Sequence, residues 1–186
     1  YGWKNNKKKS NSTITSHNGE FMKSLKLIST TALVSLLFVG QAQAVVNGTH
    51  KGSLFVKQSG VNFLNIAQVA GNSASVTQTG NSNSAGVSQG LFNGVTSNAN
   101  SAAITQVGNN NYGTIGQDAS RNNKASISVT GDNNVSQIGQ AKGSYNNYAK
   151  ISSYGDSNFA NITQFGSSNT AYITQNKGKF YGIDVA

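Results

Sequence analysis

The chain has 186 residues and a formal charge of +9, yet only 10% of its residues are charged and it has neither Cys nor Pro. No disulfide can stabilise it outside a cell, and its Gly, Asn, Ser and Gln richness excludes an ordinary apolar core. Such a composition stays disordered unless its polar residues recur in register.

In chain order, 1–21 (YGWKNNKKKSNSTITSHNGEF) is basic and unpatterned. It is read as an upstream, non-native segment rather than a nucleic-acid-binding tail, because a secretory layout follows it directly. Met22 precedes Lys23 and Lys26, then the apolar run Leu27 to Val39, then Ala42-Gln43-Ala44, a small-x-small cleavage pattern. The run is too short to span a bilayer comfortably. Residues 22–44 are expected to be a signal peptide and 45–53 a short leader. Beyond residue 44 there remain eight Lys or Arg against four Asp, a net charge of +4. These charges form no run, and the basic patch with interleaved aromatics expected of a nucleic-acid binder is missing.

From 54 to 186 one unit, Asn-x-Ala-x-Ψ-x-Gln with Ψ a branched or long aliphatic, recurs with variations. It is complete at 72–78, 83–89, 100–106, 158–164 and 169–175, and partial at 62–68, 111–117, 123–129, 131–137 and 147–153. Leu54 to Gln58 and Tyr181 to Val185 are a first and a last incomplete copy. Alternation with period two predicts strands, and the Gly, Asn and Ser after most Gln residues predict tight turns. The reading is an all-β, parallel β-solenoid with two strands per coil and about six coils. At about 4.8 Å per coil it makes a rod on the order of 25–30 Å long. Two long connections, Gly90 to Ala99 and Gly139 to Asn146, fall on the same edge.

Stacking puts like on like. One aliphatic ladder is Val56, Val76, Ile104, Ile127, Ile151 and Ile173; the other is Ile66, Val87, Ile115, Val135, Ile162 and Ile183. The expected inward Gln ladder is Gln58, Gln68, Gln78, Gln89, Gln106, Gln117, Gln137, Gln164 and Gln175. A buried amide without partners costs on the order of 1–3 kcal/mol, and only another amide at the same height satisfies it, as in cross-β stacks. Gly80, Asn83, Gly108, Asn111, Gly155, Asn158, Gly166 and Asn169 are assigned to turns and corners. No Pro or covering helix blunts the ends, so head-to-tail contact with another copy is expected to build a filament.

The spacing Gln-x-Gly-x-x-Asn-x-Ala-x-Ψ-x-Gln, seen at Gln78-Gly80-Asn83-Ala85-Gln89 and Gln164-Gly166-Asn169-Ala171-Gln175, resembles the curlin repeat from about Ser53 to Gln175. Curlins are the subunits of curli, the functional amyloid fibres of bacterial biofilms. The resemblance implies a secreted subunit polymerising at the cell surface for adhesion and matrix formation. Its implied partners are other copies of itself, a nucleator paralogue, an outer-membrane secretion pore and periplasmic chaperones. Nucleic acid is not among them, and a membrane is met only through the signal peptide. The major subunit fits better than the minor nucleator. Val129 and Ser153 in place of Gln, Asn133 at a small corner position and the two long loops depart from the pattern. Asp132 and Asp156 are candidate gatekeepers, or ordinary solvated turn residues.

Catalysis has no candidate: one His (His50) and four scattered Asp follow the signal, with no triad order, paired carboxylates or metal cluster. No cofactor is expected. A calcium-binding solenoid would need regular turn Asp residues. An ice- or surface-binding solenoid would need an unbroken Thr row. Thr77, Thr105, Thr163 and Thr174 begin one, but Lys57, Ala67, Ser88 and Gly116 interrupt it. Phe63, Tyr112, Tyr148 and Phe159 are expected outside, available to surfaces.

Overall fold

The computed structural model describes residues 25–28, 33–39, 42–47, 53–68, 71–90, 98–140, 143–176 and 183–185. Fifteen strands follow one another: Leu25–Ile28 (β1), Leu33–Val39 (β2), Ala42–Asn47 (β3), Ser53–Ser59 (β4), Asn62–Gln68 (β5), Ser73–Thr79 (β6), Ser84–Gln89 (β7), Ser101–Val107 (β8), Tyr112–Gly116 (β9), Lys124–Thr130 (β10), Val135–Gln140 (β11), Tyr148–Tyr154 (β12), Phe159–Gln164 (β13), Thr170–Asn176 (β14) and Ile183–Val185 (β15). The odd-numbered strands from β1 to β15 form an eight-stranded sheet; β2 to β14 in even steps form a seven-stranded one. Every pairing is parallel. The chain is therefore a parallel β-solenoid with two strands per coil. Between β4 and β14 it makes about five turns, close to the six expected.

Period-two alternation places the repeat's Asn, Ala, Ψ and Gln on one face of each strand, and that face is buried, as along β5, where Asn62, Leu64, Ile66 and Gln68 are all inside. The aliphatic residues form two continuous files. Val56, Val76, Ile104, Ile127, Ile151 and Ile173 are in direct register in one. Ile66, Val87, Ile115, Ile138, Ile162 and Ile183 are in register in the other. Burying each such side chain contributes about 1.5–3 kcal/mol, so the two files are the main apolar support of a chain otherwise built of amides and hydroxyls. The small residue two positions earlier, such as Ala102 or Ala160, lets the opposed sheets approach.

One expected register is corrected. Val135 pairs with Tyr112 and Phe159 and is half-buried, while Ile138 stands between Ile115 and Ile162. Gln137 points outward beside Thr114 and Asn161, and Gln140 takes the inward place opposite Gln164. The unit is thus Asn134-x-Ser136-x-Ile138-x-Gln140. Asn133 is a turn residue at φ 59° rather than a corner, and the small corner residue is Ser136. Gly139 belongs to β11, so the second expected long loop is shorter than Gly139 to Asn146. Most of the first, 91–97, lies outside the described residues.

Residues 25–47, read as signal and leader, carry strands β1 to β3, whose backbone extends both sheets below β4 and β5. Among the described residues no helix is long and apolar enough to cross a membrane.

Candidate functional site: the amide ladders and the two ends

The turns set the ladders' register. In the turns that follow β6, β8, β10 and β12, a Gly with positive φ is followed two residues later by another left-handed residue, then by the inward Asn. Gly80 (φ 105°), Ser82 (57°) and Asn83 follow this order, as do Gly108 (121°), Asn110 (55°) and Asn111. A Cβ on Gly108 would lie 2.1 Å from the carbonyl oxygen of Gly131 one coil on, so the Gly is required by contact as well as by φ. Gly155 (φ 95°) obeys the same rule, and Gly166 (79°) sits in the opposite turn.

In the eight-stranded sheet the Gln ladder is unbroken. Gln68 Nε2 donates to Gln89 Oε1 (2.9 Å), Gln89 to Gln117 (2.8 Å), Gln117 to Gln140 (2.9 Å) and Gln140 to Gln164 (2.7 Å). In the other sheet, Gln58 donates to Gln78 (2.5 Å) and Gln78 to Gln106 (2.9 Å). Buried Val129 then interrupts, and the ladder resumes with Ser153 Oγ donating to Gln175 Oε1 at 3.1 Å. The second amide N–H crosses to the opposite sheet: Gln78 reaches the Phe63 carbonyl, Gln89 that of Ser73 and Gln117 that of Ser101. Gln78, Gln89, Gln117 and Gln140 therefore each tie their own sheet vertically and both sheets horizontally, which uses both donors of the amide.

A second pair of ladders was not anticipated. Asn83, Asn111 and Asn158, assigned to turns, are buried, as are Asn62 and Asn134. Asn62 Oδ1 accepts from both the backbone N–H and Nδ2 of Asn83; Asn83 Oδ1 accepts likewise from Asn111, and Asn111 from Asn134. On the other edge the backbone N–H bond alone is repeated, through Asn72, Asn100, Asn123, Asn147 and Asn169, while the Nδ2 groups of Asn100, Asn123 and Asn147 donate to turn residues of the next coil. The signal was present in the sequence: Asn has the same parity as Ala, Ψ and Gln, so alternation alone puts it inside.

The two kinds of ladder have opposite polarity. Gln oxygens face the N-terminal end of the rod and Asn oxygens the C-terminal end. At the ends they run out of partners: the buried Gln58 Oε1 and Gln68 Oε1 accept no hydrogen bond, and neither does Asn158 Oδ1. The backbone of β2 brings Phe38, not an amide, into register with Gln58. At the opposite end Gln164 has Val185 in register above it.

Asp132 and Asp156 stand on consecutive coils in a row with Asn81 and Asn109. Asp132 Oδ1 accepts the backbone N–H of Asn109 (2.7 Å), and Asp156 Oδ1 that of Asp132 (2.8 Å). Phe63, Tyr112 and Phe159 are exposed, as expected; Tyr148 is half-buried, its ring 5.4 Å from that of Tyr172. No group of His, Cys, Asp and Glu able to hold a metal occurs among the described residues.

The arrangement leaves hydrogen-bonding capacity unused where the ladders stop. Residues 98–128 and 155–179 match the family model described as the curlin associated repeat. No curated protein and no solved structure matches the chain.

Proposed function

We propose that this chain, two stretches of which match the curlin associated repeat, is a curlin and a structural subunit of an extracellular curli-type amyloid fibre, joined head to tail by continuation of its sheets and ladders. The observation that carries this reading is the unfilled polarity of the ends. Every interior Gln oxygen shown above is filled from the coil below, except those of Gln58 and Gln68, where the two Gln ladders begin; Asn158, one coil below β15, is where one Asn ladder stops. Each orphan costs about 1–3 kcal/mol. A second copy stacked in register brings Gln175 Nε2 to Gln58 Oε1 and continues both parallel sheets, with Val185 rather than an amide beneath Gln68.

In this reading residues 22–44 direct export and are removed, freeing the lower edge of β4 and the start of that of β5 for addition; Val45–Asn47 must then leave the rest of β5. Export goes through an outer-membrane pore with periplasmic chaperones, and growth starts on a nucleator paralogue. The fibre serves adhesion and biofilm matrix, with this chain as its major subunit. Asp132 and Asp156 act as gatekeepers, since stacking two carboxylates on adjacent coils opposes aggregation by like-charge repulsion. Val129 and Ser153, which interrupt one Gln ladder, slow unseeded growth.

The test is residues 45–186 purified and held at neutral pH. Fibres are expected after a lag, with a meridional reflection at about 4.7–4.8 Å. A stable, folded monomer would exclude the fibre in favour of a monomeric binding solenoid.

A further inference from the structure

The two outer faces of the solenoid differ in charge. The seven-stranded face carries Lys57, Lys124 and Lys150 at outward positions. On the eight-stranded face, no outward residue of β5, β7, β9, β11 or β13 is charged. Asp118, in the turn after β9, lies half-buried against the edge of this face, its carboxylate held by Ser88 Oγ (2.9 Å) and the Gly90 N–H (2.7 Å). The uncharged face ends at β15, where Asp184 comes into register with Thr163.

This face also has relief. Phe63, Tyr112, Val135 and Phe159 stand in one file, separated only by Ser84, and form an apolar ridge. Three of them are strongly exposed: Phe63 48%, Tyr112 42% and Phe159 43%. Four residues along each strand, Ala67, Ser88, Gly116 and Gly139 make a valley. The two glycines have no internal reason to be glycine. Neither has a left-handed φ, and a Cβ on either would meet nothing within 4 Å. By contrast, a Cβ on Gly113 would lie 3.1 Å from the Gln106 amide. Glycine within a strand weakens it, and often marks a place where another backbone comes close.

We infer that this uncharged face is where one fibre of this chain packs laterally on a second, in a two-fold contact that seats each ridge in the other's valley at Gly116 and Gly139. The partner is a second copy because the surface is self-complementary, its strands present no charge to repel a twin and the Asp118 carboxylate at its edge is already held; the lysine face lacks this property. The area sets when the contact forms. Five coils of this face offer about 500 Å² per subunit, below the roughly 800 Å² per partner of a stable interface. Single subunits therefore do not pair through it, but filaments do, because the contact repeats along their length. The inference rests on the fibre reading.

The experiment compares fibres assembled by the secreted wild-type protein with those of Gly116→Thr/Gly139→Thr and of Ala103→Thr, a control on the lysine face. The double variant is expected to grow fibres with the same cross-β reflection but as separated filaments by electron microscopy; the control bundles like wild type. Persistent bundles in the double variant, or equal dispersal by the control, would overturn the lateral contact while leaving the fibre intact. Wild type that forms no fibre removes both proposals. Should the double variant fail to assemble, Gln137→Cys decides. Its thiol is expected to react with maleimide about tenfold more slowly in bundles than that of Ser126→Cys, as a packed interface core requires. Equal rates would refute the contact.

Discussion

At the scale of the residue, what a ladder amide contributes depends on who stands above it. Gln106 and Gln117 are both fully buried and both donate across to the opposite sheet. Above Gln106 is Val129, which asks for nothing; above Gln117 is Gln140, whose Oε1 accepts its N–H. Gln106→Leu removes hydrogen bonds but orphans no amide oxygen in the next coil, whereas Gln117→Leu leaves Gln140 Oε1 buried and unpaired. Gln117→Leu is therefore expected to be the more destabilising by about 1–3 kcal/mol, read from the urea midpoints of the monomer before assembly. Equal losses would mean that the ladder is held by its cross-sheet bonds alone. The Gln columns were legible in the sequence because Gln follows an aliphatic residue at a fixed step. The Asn columns were missed because Asn is also a turn former, and its place just after a left-handed residue hid that its parity belongs to the interior.

Strands and turns are held by different constraints, and two glycines separate them. Gly108 sits in a turn at φ 121° with the next coil's carbonyl where its Cβ would be; Gly139 lies in β11 with ordinary φ and open space around it. Gly108→Ala combines a disfavoured backbone with a clash against main chain, and is expected to cost at least about 2–3 kcal/mol or prevent folding. Gly139→Ala is expected to be neutral or to stabilise the strand by about 0.5–1 kcal/mol. Thermal unfolding of both variants checks the contrast, and a comparable loss in each would show that the turn glycines are not the register setters. Strand existence was legible along nearly the whole repeat region from period two. The register of β11 was not, because Val135-Ser136-Gln137 and Ile138-Gly139-Gln140 both read as Ψ-x-Gln, three residues apart. Only the fit of neighbouring coils, Ile115 below and Ile162 above, selects the second.

The molecule as a whole is a rod whose ends must be level for another copy to seat. Once the segment before β4 is removed, one column runs β4, β6, β8, β10, β12, β14 and the other β5, β7, β9, β11, β13, β15. Without β15 the second column stops one coil short. An incoming β4 then rests on β14 while its β5 hangs above an empty slot, and the unmade pairing weakens the joint. Chains ending at Asn176 are accordingly expected to fold, since β15 pairs only with β13, but to extend wild-type seeds at least about tenfold more slowly, a factor that needs only about 1.4 kcal/mol of lost contact. Seeded growth followed by light scattering measures this. An unchanged rate would mean that the joint is made on β14 alone, with Gln175 Nε2 to Gln58 Oε1 as its sole amide link. The aliphatic file favours the level joint, because Ile183 continues the register of Ile162 while Val185 leaves the amide file unextended. That asymmetry gives the two columns different tasks at the junction: one supplies apolar continuity, the other the hydrogen bond that fixes height.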